Sequence, residues 1–248
     1  MTDEEKYVIL LTKTYSERQR RMAKIKLIIF DLDGTLADTI DGITEGINRT
    51  MTDAGYPTHT KESVLNFVNY GTRQYVSKAL PPPVGEDEAL VTQLMEVYVK
   101  HYADTYTMST LYNGILALLD DLKDKCLLAV NSNKQDEFVK VLADQLLPKG
   151  LLIAAEGFRD DRPAKPHPAM ALSIMEKASA VLGCALTPEE CVYVGDSDVD
   201  FYTAENAGMH AVSVSWGYRS YDFLRGLGEQ PVCATVEELS LVLSQLGV

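Results

Sequence analysis

No stretch of the 248-residue chain approaches the roughly 18 consecutive apolar residues that a membrane span requires, so a helical membrane protein is excluded. Cysteine is sparse and scattered. Cys126, Cys184, Cys191 and Cys233 form no C-x-x-C pair, and Cys126 and Cys191 each open a predicted buried strand, which points to reduced core thiols rather than disulfides or a zinc site. His59, His101, His167 and His210 lack ligand spacing and read as structural or surface residues. Positive charge is also short: 23 Lys and Arg face 36 Asp and Glu, a formal net charge of -13. Nucleic acid is therefore not an expected partner, and an anionic ligand would need local positive charge from a metal and a few lysines. The apolar patch Tyr7 to Leu11 is shorter than a signal-peptide core, and cytoplasmic residence with no membrane partner is the expectation.

What is present centres on Lys26-Leu27-Ile28-Ile29-Phe30-Asp31-Leu32-Asp33-Gly34-Thr35-Leu36, an apolar run that stops on two carboxylates and a glycine. The run has the length and composition of a buried parallel strand, and Gly34 and Thr35 signal a turn. Asp31 and Asp33 are two apart and would share a face of an ideal strand. Two carboxylates that close repel unless a cation sits between them, and a hard, oxygen-seeking ion such as Mg²⁺ suits the pair.

Residues 1–24 carry a mixed, charged pattern ending in Arg18-Gln19-Arg20-Arg21 and read as an N-terminal extension with a solvated face. After Leu36 the period becomes helical, with Ile40, Ile43, Ile47 and Met51 before the break at Gly55-Tyr56-Pro57. Further helices are predicted at 60–68, 71–80 and 86–106, and no strand is predicted in these roughly seventy residues. Such a block implies an inserted all-helical domain, residues 38–111, packed over a sheet. The α/β rhythm resumes at Tyr112-Asn113-Gly114. It gives helices at 115–123, 134–146, 168–182, 199–207 and 236–246, and strands at 126–131, 151–155, 191–194, 210–214 and near Val232. The expectation is an α/β, Rossmann-like parallel-sheet core built from residues 25–37 and 112–248.

Each clear strand ends in polar residues: Asn131-Ser132-Asn133-Lys134 and Gly195-Asp196-Ser197-Asp198-Val199-Asp200, with Lys165-Pro166-His167-Pro168 between them. In a parallel sheet these ends share one edge, so carboxylates, a hydroxyl, an amide and an ammonium are expected to converge. The four motifs, in this order, resemble those of the haloacid dehalogenase superfamily of aspartate-nucleophile phosphatases. The helical insert, Tyr112-x-Gly114 and Ser215-Trp216-Gly217-Tyr218 are similar to its phosphoglycolate phosphatase-like branch. The resemblance covers residues 25–248.

That resemblance implies a role for each matching position. Asp31 would be the nucleophile, forming an aspartyl-phosphate, and Asp33 the acid and then base. Asp196, with Asp31 and the main-chain carbonyl of Asp33, would hold Mg²⁺. Gly34, Thr35, Ser132, Asn133 and Lys165 would surround the phosphoryl group, with Asp200 orienting Lys165 or a metal-bound water from behind. Arg73 in the insert could pair with a substrate carboxylate, or be a helix-surface arginine. Asp198 reads as solvated or capping, and Trp216 and Tyr218 as packing residues. The leading reading is a Mg²⁺-dependent phosphomonoesterase acting on a small phosphorylated metabolite, 2-phosphoglycolate first, as a monomer or homodimer. The alternatives are a hexose-phosphate type phosphomutase of the same superfamily and a non-catalytic phosphate-binding module. Dehalogenase chemistry is disfavoured by the second acid, Asp33, and phosphonatase chemistry by the lack of a distinguished lysine among Lys61, Lys78 and Lys100.

Overall fold

The computed structural model describes residues 24–248, and the N-terminal extension proposed for 1–24 lies, but for Lys24, outside them. In chain order the elements begin with β1 (Leu27–Phe30) and β2 (Ala37–Asp38). The helical insert follows: α1 (Ile40–Asp53), α2 (Lys61–Leu65), α3 (Thr72–Ala79) and α4 (Glu88–Thr105). Then come β3 (Thr110–Leu111), α5 (Ile115–Leu122), β4 (Leu127–Gln135), α6 (Asp136–Leu146), β5 (Ala154–Phe158) and α7 (Ala169–Leu182). The chain continues through β6 (Cys191–Gly195), α8 (Asp198–Ala207), β7 (His210–Val214), α9 (Tyr221–Arg225), β8 (Val232–Cys233) and α10 (Val236–Leu246).

Six strands form one sheet in the order β5-β4-β1-β6-β7-β8, and every pairing in it is parallel. β1 is buried along its whole length and alternates between two cores. Ile28 and Phe30 pack with α5, α6 and α10 on one face, whereas Leu27 and Ile29 pack with α7 and α8 on the other. This two-sided burial explains why β1 reads as a continuous apolar run rather than an alternating one. The strand order reverses at β1, so the carboxyl ends of β4, β1 and β6 open onto one crevice.

The insert has a core of its own, in which Ile40, Ile43, Ile47 and Met51 of α1 meet Leu94, Tyr98 and Tyr102 of α4. The two helices approach closely because Gly42 and Gly46 face α4. A Cβ on Gly42 would lie 2.6 Å from the Thr105 carbonyl oxygen. Phe138 of α6 and Tyr218 join this cluster, so the helical cap is seated on the sheet domain by shared packing.

Three sequence expectations need correction. The residues flanking the insert are not free of strand: β2 and β3 pair antiparallel, Ala37 with Leu111 and Asp38 with Thr110, in pieces too short to leave a period-two pattern. β4 runs past Asn131 to Gln135, where it still pairs with Phe158, so α6 begins at Asp136 rather than Lys134. The fifth strand lies at Ala154–Phe158, not 151–155. Glu156 breaks its apolar pattern, yet it is buried there as the partner of Arg162 and Lys177. Helix α9 was not anticipated.

Ile29 sits fully buried in the central strand and Leu241 is 60% exposed. Ile29→Ala is expected to cost about 2–5 kcal/mol of unfolding free energy, and Leu241→Ala less than about 0.5 kcal/mol. Urea unfolding midpoints of the two variants check this, and equal midpoints would contradict the assigned core.

Candidate active site

The end of β1 is fixed before any side chain acts. The Asp31 amide donates to the Val194 carbonyl of β6 at 2.9 Å, and Gly34, at φ +83°, turns the chain so that its amide reaches the Ala37 carbonyl at 2.9 Å. Positive φ favours glycine, and space demands it as well: a Cβ on Gly34 would lie 2.4 Å from Asp196 Oδ2. Gly217 covers the same carboxylate from the other side, where a Cβ would meet the Gly34 carbonyl at 2.2 Å. Trp216 Nε1 donates to the Thr35 carbonyl at 3.0 Å and locks the two turns together.

Three buried carboxylates meet at this point. Carboxylate oxygens of Asp31, Asp196 and Asp200 all lie within 4.8 Å of one another. Lys165 Nζ is the ammonium among them, 2.9 Å from Asp31 Oδ1 and donating to Asp200 Oδ1 at 2.6 Å and to the Asn131 carbonyl at 3.1 Å. Asp200 Oδ2 accepts from Ser197 Oγ at 2.5 Å. Asp196 accepts from the Tyr218 amide at 2.7 Å and from Thr35 Oγ1 at 3.3 Å. The Lys165 loop is held by Asn133, whose Oδ1 accepts from the Lys165 amide at 2.8 Å while its Nδ2 donates to the Lys165 carbonyl at 3.1 Å.

Burial pushes the Asp31 carboxyl up to about 7, with the Asp200 charge adding to the effect and Lys165 opposing it. Burial, then Asp200 and Asp31, pushes Asp196 well above the usual carboxylate range. Burial also works against the Lys165 charge, yet Asp200 and Asp31 outweigh it and hold the ammonium well above its ordinary value. With all three carboxylates ionised, one ammonium leaves two negative charges uncompensated, which matches a divalent cation. The donors are all carboxylate oxygens, the set that a hard cation prefers. Asp31 Oδ1 is buried and meets the Lys165 ammonium at 2.9 Å, which leaves it a second lone pair for such an ion.

The cleft above this cluster is lined on the sheet side by Asp31, Asp33, Ser132, Asn133, Lys134 and Lys165, and on the cap side by Ile43, Val68, Asn69, Gly71, Thr72 and Tyr75. With the cap seated as it is, the room between these walls is about 30 Å³, enough for a water or two. The cap is fastened over it. Arg219 donates to the Leu65 and Val68 carbonyls at 2.9 and 3.3 Å, Tyr70 donates to Asp198 Oδ2 at 2.9 Å, and Asn133 Nδ2 donates to the Asn69 carbonyl at 3.1 Å.

Of the residues singled out from sequence, Asp31, Asp196, Asp200 and Lys165 come together in one cluster, and Ser132 and Asn133 line the same cleft. The Asp33 side chain is outside the acidic cluster: it accepts from Thr39 Oγ1 at 2.5 Å and from Lys134 Nζ at 2.9 and 3.0 Å. Gly34 and Thr35 lie beneath Asp196 and not among the cleft-lining residues. Arg73 is not brought in. Its guanidinium donates to Glu88 at 2.6 Å and Thr92 at 3.1 Å on the cap surface. Asp198, read as solvated or capping, instead anchors the cap through Tyr70.

Three further residues were missed. Thr39 uses its one proton on Asp33, so its 2.8 Å contact with Tyr218 has the tyrosine hydroxyl as donor. Tyr218, read as packing alone, therefore touches Asp196 through its amide and Asp33 through Thr39. Lys134 was visible as the residue after Ser132-Asn133, but placing it at a helix start hid that it reaches into the cleft.

A parallel sheet with an inserted helical cap and buried carboxylates at its switch point defines a capped α/β protein with an acidic site at the strand ends. The model of the family described as haloacid dehalogenase-like hydrolase matches residues 28–214, and the chain belongs to that family. Among curated relatives, a phosphoglycolate phosphatase of Aquifex aeolicus is 31% identical over 199 residues, 78% of this chain and 86% of the relative. One of Pseudomonas putida is 29% identical over 197 residues, 78% of this chain and 70% of the relative. Among solved structures, a phosphoglycolate phosphatase candidate from Lactobacillus delbrueckii subsp. bulgaricus superposes with a TM-score of 0.79 at 31% identity, covering 90% of this chain and 99% of the other. The similarity thus falls among the phosphatases of the family. Among the described residues, no helix is long and apolar enough to cross a membrane.

The raised carboxyls set a pH dependence. Without metal, folded Asp31 and Asp196 retain protons that the unfolded chain, titrating near 3.8, has released. Stability of the metal-free protein therefore falls as pH rises from near 3.8 through about 7, where the Asp31 contribution is fully lost. A bound divalent cation replaces those protons. Added Mg²⁺ is expected to raise the melting temperature clearly at about pH 8 and little at about pH 5, relative to EDTA. Calorimetric melts check this, and identical melts with Mg²⁺ and EDTA at both pH values would contradict a cation site.

Proposed function

We propose that the protein is a Mg²⁺-dependent phosphomonoesterase acting on a small phosphorylated metabolite, with 2-phosphoglycolate as the first candidate. The observation that carries the proposal is the Asp31 carboxylate, buried at the cleft floor, ion-paired to Lys165 at 2.9 Å and overlooked by a second acid, Asp33. The names of the relatives supply the candidate substrate. The sheet domain, residues 25–37 and 112–248, carries the chemistry, and the cap, residues 38–111, closes the site.

The reaction runs in two displacements. An Asp31 oxygen attacks phosphorus, the bond from phosphorus to the leaving oxygen breaks, and Asp33 gives its proton to that oxygen. A water then attacks the aspartyl-phosphate, Asp33 takes the water's proton, and the phosphorus–Asp31 bond breaks to release phosphate and restore the carboxylate. Lys165 and the Ser132 hydroxyl meet the charge on the phosphoryl oxygens, Asn133 positions the Lys165 loop, and Asp200 orients Lys165. Asp31, Asp196 and the main-chain carbonyl of Asp33 would hold the metal. When bound, the ion supplies positive charge against the phosphoryl oxygens and lets two anions meet. The cap's aromatic and aliphatic wall excludes bulk water during the transfer.

Phosphate release from 2-phosphoglycolate, sugar phosphates, nucleotides and pyrophosphate, each with Mg²⁺ and with EDTA, tests the reading. Mg²⁺-dependent release with preference for 2-phosphoglycolate is expected. Asp31→Asn should lower kcat by at least about 10⁴-fold, and Asp33→Asn by about 10²–10⁴-fold. Bisphosphate-dependent isomerisation without release would favour a mutase, and full activity of Asp31→Asn would remove the nucleophile assignment.

A further inference from the structure

Lys134 is the cleft cation that the two displacements leave unused. Its side chain is 7% exposed, and its ammonium contacts both oxygens of Asp33, at 2.9 and 3.0 Å, and lies 4.6 Å from the centroid of the Tyr102 ring of the cap. Tyr75 forms part of the same wall. The other cleft-lining cation among the described residues, Lys165, is held on the floor by Asp31, Asp200 and the Asn131 carbonyl. Arg73 is tied to Glu88 outside, and Arg219 to carbonyls of the cap. Among the described residues, a negative charge on the leaving portion of a substrate thus meets Lys134, the cleft-lining cation that the floor carboxylates do not hold.

The position of that ammonium is informative. Asp33 receives three donated bonds, two from Lys134 and one from Thr39, and because Lys134 donates to both oxygens a proton on either, the one the leaving oxygen needs, would face the ammonium. Lys134 must therefore withdraw from at least one oxygen of Asp33 during turnover. A desolvated ammonium does not give up a carboxylate without a replacement anion. A neutral leaving group offers none, and a carboxylate does.

We propose that Lys134 binds a carboxylate on the leaving portion of the substrate, and that its transfer from Asp33 to that carboxylate frees Asp33 to meet the leaving oxygen. The substrate class is then phosphorylated hydroxy acids whose carboxylate lies one or two carbons from the phosphorylated oxygen. This deepens the phosphomonoesterase reading and rests on it. It moves carboxylate recognition from Arg73 on the cap to Lys134 on the sheet domain.

Steady-state kinetics with 2-phosphoglycolate and with ethyl phosphate, which lacks the carboxylate, test the assignment in the wild type, Lys134→Met, Lys134→Arg and Arg73→Ala. Lys134→Met should lower kcat/KM for 2-phosphoglycolate by about 10- to 100-fold, the value of a charge-assisted hydrogen bond. The same variant loses the Asp33 contact with either substrate, so the reading is the ratio: kcat/KM for 2-phosphoglycolate over that for ethyl phosphate should fall by at least about 10-fold. Lys134→Arg should keep the preference for 2-phosphoglycolate, and Arg73→Ala should leave it unchanged. Equal losses on both substrates would overturn the proposal, since they would mean that Lys134 acts only by holding Asp33. Should Lys134→Met fail to fold, the wild type decides: equal kcat/KM for the two substrates overturns it. Phosphate release from neither substrate removes the phosphomonoesterase reading itself, a result distinct from release without discrimination.

Discussion

The site depends on one electrostatic constraint: Asp31, Asp196 and Asp200 are buried within 4.8 Å of each other with one ammonium, Lys165, among them. Left alone, such a cluster opposes folding, since each carboxylate is desolvated beside like charge. The surroundings are arranged to hold it. β1 and β6 fix the backbones of Asp31 and Asp196 by parallel pairing, Gly34 and Gly217 leave just enough room for the Asp196 carboxylate, and Ser197 and Tyr218 donate into the cluster. The remaining negative charge suits the site to a divalent cation, which in the proposed reaction would in turn attract a phosphoryl group. An acidic chain can thereby bind an anion without a basic surface.

The cap and the sheet domain share a second charge arrangement. Asp33, Thr39, Tyr218 and Lys134 form a chain of contacts that begins in the β1 turn and ends against the cap tyrosine Tyr102. Cap seating and the state of Asp33 are therefore linked through Lys134. The contacts of Arg219 with the Leu65 and Val68 carbonyls, and of Asn133 with that of Asn69, tie the same cap segment to the loops that carry Lys165 and Asp196. Seating the cap and bringing Lys165 and Asp196 together are parts of one packing arrangement.

Much of this was legible in the residues themselves. The β1 run, the polar strand ends and the helical period after Leu36 express physical demands that leave strong local patterns: two-sided burial, a switch-point edge and an amphipathic face. β7 and α10 fell at their expected bounds for that reason. What stayed hidden were features set by partners distant in sequence. The β2–β3 pair is two residues long on each side, and the buried Glu156 is satisfied only by Arg162 and Lys177. The direction of Lys134 depends on β4 continuing beyond its apolar stretch to pair with β5, which no local pattern announces. Arg73 looked suited to a substrate carboxylate by composition, but Glu88, fifteen residues on, claims its guanidinium.

In the proposed reaction Asp31 takes the phosphoryl group onto its own carboxylate. Acid-quenching the enzyme during turnover of 2-phosphoglycolate with Mg²⁺, followed by peptide mass spectrometry, tests this directly. A phosphoryl adduct is expected on the peptide that contains Asp31, absent from Asp31→Asn and from samples quenched without substrate. Turnover with no adduct, or an adduct on another residue, would contradict it.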